Sequence, residues 1–78
     1  MTYLPEIQLL RIGFPVPVSK GEIIFKYPSK KGLDFTISIQ KLTRFDFSTD
    51  KLREGKWEIK VNWTDGGSSY FMEGEVLI

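Results

Sequence analysis

The stretch from Gly55 to Ile78, GKWEIKVNWTDGGSSYFMEGEVLI, constrains the fold more than any other part of this chain. Trp57, Ile59, Val61 and Trp63 alternate with Lys56, Glu58, Lys60 and Asn62. That is the period of a strand with one buried and one wet face. Asp65-Gly66-Gly67 then interrupts, and strand-forming residues resume, so the segment predicts a β-hairpin over 56–78. A two-residue turn at Gly66-Gly67, or a four-residue one from Asp65 to Ser68, sets Trp63 opposite Tyr70 and Val61 opposite Met72. It also sets Lys60 opposite Glu73, a favourable cross-strand pair, at the cost of Glu58 facing Glu75. Centring the turn on Asp65-Gly66 instead sets Glu58 against Glu73, and the first register is preferred.

The rest of the chain reads as more short strands. Leu4 to Ile12 is a strand with Ile7 and Leu9 on one phase and Leu10 and Ile12 on the other. Either both faces are covered or the strand bulges near Gly13. Phe14-Pro15-Val16-Pro17-Val18 lacks two backbone donors and belongs at a sheet edge or in an extended linker. Ser19-Lys20-Gly21 reads as a turn, Glu22 to Tyr27 as a strand and Pro28 to Gly32 as a loop. Asp34 to Gln40 alternates strictly, Arg44 to Phe47 forms a short strand, and Ser48 to Leu52 forms one helical turn capped by Ser48 or Thr49. No segment keeps a helical period over three turns. The expected fold is all-β: one domain over 1–78, a small immunoglobulin-like β-sandwich of about six to seven short antiparallel strands.

Composition narrows the function classes. Seventy-eight residues leave room for one thin core, and domains of this size bury roughly 60% of their unfolded surface. Two Trp, three Tyr and six Phe compensate, because each large ring buries about 150–250 Å². Eleven Lys and Arg against ten Asp and Glu give a net charge of +1, which argues against a nucleic-acid partner held by its phosphates. No Cys and no His occur, which removes the usual ligands of zinc, copper and haem iron. Apolar runs fall far short of the about 20 residues of a membrane span. Met1 to Ile12 carries Glu6 and lacks an apolar signal core.

Catalytic constellations are poor. Without His, a nucleophile lacks its usual base. A Ser–Lys pair among Ser29, Lys30 and Lys31 falls on a loop where solvated charge is the simpler reading. Glu73 and Glu75 share a strand face, as paired carboxylates would, but a wet sheet face accounts for them. Asn62-Trp63-Thr64 matches a glycosylation sequon that falls mid-strand and carries little weight. Trp57 and Trp63 share the phase of Ile59 and Val61, which marks them as core rather than as stacking platforms. Phe71 falls on the polar face beside Glu73. With Ile24 and Leu77 it either lies under a second sheet, the reading we favour, or forms an exposed partner surface.

From Leu52 to Ile78 the order is Leu-x-x-Gly-Lys-Trp, alternating apolar residues, a second Trp, a glycine turn and an aromatic–acidic return strand. This resembles the end of the FixH family. FKYPSKKGLDFTISI, from Phe25 to Ile39, is similar to the central part of FixH-like proteins of the Bacteroidetes type, so the likeness runs from about Gly21 to Ile78. The resemblance implies the soluble C-terminal β-domain of a bacterial inner-membrane protein, on the periplasmic side. Such proteins are encoded with a copper-transporting ATPase and take part in assembling the cbb-type cytochrome c oxidase. It implies no enzymatic activity, no catalytic residues and no cofactor. The family's N-terminal membrane helix is not among these residues, so the stretch is expected to be either an excised soluble domain or a truncated relative. Of the soft metal ligands only Met1 and Met72 are present, and Met72 is expected to be buried, so the domain is expected to act by protein contact. The alternative is a small carbohydrate-type ligand-binding module using surface aromatics, which an exposed Trp would favour.

Overall fold

The computed structural model describes residues 1–78. The all-β class holds, but five strands replace the six or seven expected: β1 (Thr2–Leu4), β2 (Leu9–Lys26), β3 (Phe35–Ser48), β4 (Lys56–Asp65) and β5 (Ser68–Leu77). All belong to one antiparallel sheet. The first half of β2 lies between β1 and the end of β3, and its second half lies between the start of β3 and β4. β5 pairs only with β4 and closes that side of the sheet.

The strands are fewer because they are longer. Ser19-Lys20-Gly21 is no turn: Lys20 and Gly21 pair with both β3 and β4. A Cβ at Gly21 would stand 2.4 Å from the Asn62 carbonyl oxygen and 2.6 Å from Trp63 Cβ, so glycine is there for a close approach between strands. Asp34–Gln40 and Arg44–Phe47 likewise merge into β3, through Lys41 in the left-handed region at φ 53°. Opposite this junction the register shifts between Gly13 and Val18, and Phe14 to Pro17 have no ladder partner. The two prolines therefore sit where no backbone donor is needed.

The first predicted strand is also corrected. Leu4–Ile12 is a tight reversal, with a 3-10 turn over Pro5–Ile7 and left-handed Gln8 setting Leu4 against Leu9. Pro5 opens that turn, as its fixed φ favours. Ser48–Leu52 forms no helical turn. Thr49 donates its N–H to the Gln8 carbonyl at 2.8 Å, and a single reversal follows, closed by Leu52 N–H on the Thr49 carbonyl at 3.1 Å.

The sheet bends over its own apolar face. Ile23, Phe25, Trp57, Ile59, Val61 and Trp63 are buried there together with Leu10 and Ile12 from the first half of β2. The fold-over brings Phe47 onto Phe25, ring centroids 4.8 Å apart, and Phe25 stacks on Phe35 at 4.6 Å. At one end Tyr27 lies against Trp57, donates its hydroxyl to the Glu54 carbonyl at 2.6 Å and leaves no space for a side chain at Gly55. At the other end Trp63 stacks on Tyr70 and meets Phe14 edge-on at 5.0 Å.

Candidate functional site

The C-terminal hairpin has the register preferred from the sequence: Trp63 opposite Tyr70, Val61 opposite Met72, Lys60 opposite Glu73, Glu58 opposite Glu75. Gly66 and Gly67 have φ of 56° and 86°, the paired positive values of a two-residue type I′ turn. Gly55 and Ile78 exchange hydrogen bonds at 3.0 and 2.9 Å. Pairing alternates along an antiparallel ladder, so Val76, Gly74, Met72, Tyr70 and Ser68 also turn their backbone groups toward β4. Ser69, Phe71, Glu73, Glu75 and Leu77 turn theirs outward. No strand pairs with that side of β5.

Three of the four surface residues singled out from the sequence lie on this edge strand. Phe71 is 58% exposed and Leu77 76% exposed, so no second layer covers them, contrary to the reading favoured from the sequence. Glu73 is also exposed. Ile24 is half-buried in the interior strand β2, in one cross-strand row with Lys60 and Glu73. The four do not make one apolar patch. Phe71 and Leu77 are about 20 Å apart at ~3.3 Å per residue, with the two carboxylates between them. Lys56 holds Glu75 at 3.3 Å, while Glu73 is in no ion pair.

A shallow concavity of about 840 Å³ spreads over the same face beside Phe71, with Glu22, Ser38, Gln40 and Asn62 among its lining. Both tryptophans are in the core, Trp57 at 2% and Trp63 at 4% exposure. Trp57 donates its indole N–H to the Arg53 carbonyl at 2.9 Å, whereas Trp63 Nε1 is buried without a partner. Met72 is half-buried rather than buried and shares a hollow of about 440 Å³ with Met1, Tyr3, Leu10 and Val76, between β1 and β5. No cluster of three or more His, Cys, Asp or Glu side chains converges anywhere in the fold.

One charged group has no local signature in the sequence. Asp46 accepts two hydrogen bonds from the Arg11 guanidinium, at 3.0 and 3.3 Å, and has Arg44 at 3.6 Å. The hydrogen bond from Arg11, aided by the charges of Arg11 and Arg44, holds the Asp46 carboxyl below its ordinary value. Arg11 and Asp46 are cross-strand partners 35 residues apart in the chain, which no local pattern reveals.

The FixH family model matches residues 5–77, nearly the whole chain. The chain belongs to the FixH family. No curated protein and no solved structure matches it. No helix in this FixH chain is long and apolar enough to cross a membrane. The match extends past the stretch from Gly21 that carried the likeness in the sequence, and takes in the reversal at Pro5–Ile7 and all of β2.

Proposed function

We propose that this FixH-family chain is a non-enzymatic protein-interaction domain that serves assembly of a cbb-type cytochrome c oxidase from the periplasmic side of the inner membrane. The observation that carries the interaction reading is the open edge of β5, where exposed Phe71 and Leu77 flank exposed carboxylates. Family membership supports the assembly role. With both tryptophans in the core, the ligand-binding alternative is left with exposed Phe71 and half-buried Tyr70 as stacking surfaces at the concavity. The test is affinity capture from solubilised bacterial membranes with the tagged domain. Oxidase subunits or a copper-transporting ATPase are expected to be enriched over an unrelated β-domain of equal size. Enrichment of neither would overturn the assembly reading.

A further inference from the structure

We infer that the outer edge of β5 binds an extended segment of a partner protein as an added strand, and that the segment carries basic residues flanked by apolar ones. The inference rests on the interaction reading above and gives it a surface and a partner chemistry. Its physical basis is the coincidence of two alternations. The residues whose backbone groups point outward are Ser69, Phe71, Glu73, Glu75 and Leu77. On β5 these same residues present their side chains to the wet face, opposite Thr64, Asn62, Lys60, Glu58 and Lys56. A strand laid along the edge therefore finds main-chain partners and side-chain neighbours at the same positions. In order these neighbours are an aromatic, two carboxylates and a leucine.

The other edges are less suited to this. β1 has three residues. β3 is interrupted by left-handed Lys41 opposite the register shift of β2, a feature that twists an edge away from pairing. β5 runs for ten residues without proline, lysine or register shift. Its other face borders the hollow between β1 and β5, where Met1, Tyr3, Leu10, Met72 and Val76, beside Glu73, Gly74 and Glu75, leave room for apolar side chains from the opposite face of an added strand.

Charge decides between a second copy and a different partner. Antiparallel self-pairing about Gly74 would match Phe71 with Leu77 but set Glu73 against Glu75 twice, gathering four carboxylates. Centring on Glu73 or on Glu75 puts that residue against itself. Like charges directly opposite destabilise a strand pair. Centring on Met72 avoids Glu–Glu pairs but sets Glu73 against Phe71 and Glu75 against Ser69, and β5 carries no Lys or Arg, so no self-register gives either carboxylate a counter-charge. Lys or Arg opposite Glu73 and Glu75 turns the same positions into attractive pairs.

The experiment uses the full chain, isotope-labelled, and two synthetic peptides, Thr-Leu-Thr-Lys-Thr-Lys-Thr-Leu-Thr and the same sequence with Glu in place of Lys. The lysine peptide is expected to shift the amide resonances of Ser69 to Leu77, and the glutamate peptide to bind at least about tenfold more weakly, since two attractive pairs become repulsive. The double variant Glu73→Lys/Glu75→Lys, confirmed folded by its remaining amide spectrum, is expected to reverse that preference. Equal affinity for both peptides, shifts centred on the concavity instead of the β5 edge, no binding of either, or dimerisation through β5 would each overturn the inference. If membrane capture succeeds and is untouched by the double variant, the edge is wrong while the assembly reading stands. If the lysine peptide binds as described and capture fails, the edge stands and the assembly reading falls.

Discussion

Gly21 shows how one residue can determine the spacing of two strands. It lies opposite Trp63 with the Asn62 carbonyl behind it, and a single added methyl would overlap both. The expected outcome for Gly21→Ala is a loss of about 1–3 kcal/mol, the ordinary cost of overpacking, read from the midpoint of urea unfolding. Stability equal to wild type would show that β2 and β4 can move apart freely. Asp46 makes a prediction about pH. Its carboxyl titrates lower in the folded chain because Arg11 donates to it. The stabilisation is therefore present above the ordinary carboxylate range and is lost as pH falls through the lowered folded value. Asp46→Asn is expected to be less stable than wild type at neutral pH and equal to it once carboxylates are protonated. Urea midpoints at the two pH values check this. The group is at the surface, so the difference is small.

At the scale of elements, what was legible in the sequence follows the distance over which each element is specified. The hairpin of β4 and β5 is contiguous, its turn chemistry is local, and its two-residue period runs without a break, so even the pairing of Lys60 with Glu73 could be read. β2 could not be read as one strand. Gly21 has the local signature of a turn but answers to a neighbour 42 residues away, Trp63. Pro5 is the local signal for the reversal at the N-terminus, but the apolar pattern around it has the period of a strand and masks that signal. The candidate surface divides in the same way. That Phe71, Glu73 and Leu77 share one face of β5 follows from strand phase, but phase alone leaves open whether a second layer covers that face. That they line an open edge depends on β4 pairing with β2, which only the sheet order reveals.

The whole molecule is organised around β2, which is hydrogen-bonded on both sides through most of its length. Its residues Ile23 to Phe25 are paired to β3 and β4 at once, and Ile23 and Phe25 have no solvent exposure. β5 and β1 sit at opposite ends of the strand order and each has one neighbour. Free energies of local opening span from near zero at frayed ends to the global value at the core. Amide hydrogen exchange is expected to be slowest at Ile23, Ile24 and Phe25, at the rate of complete unfolding, and fastest among the strands at Thr2 to Leu4. Slower exchange in β5 than in β2 would contradict this. The strand that no partner can reach is then the one that reports global stability. The strand offered to a partner can loosen and re-form while the centre of the domain stays closed to solvent.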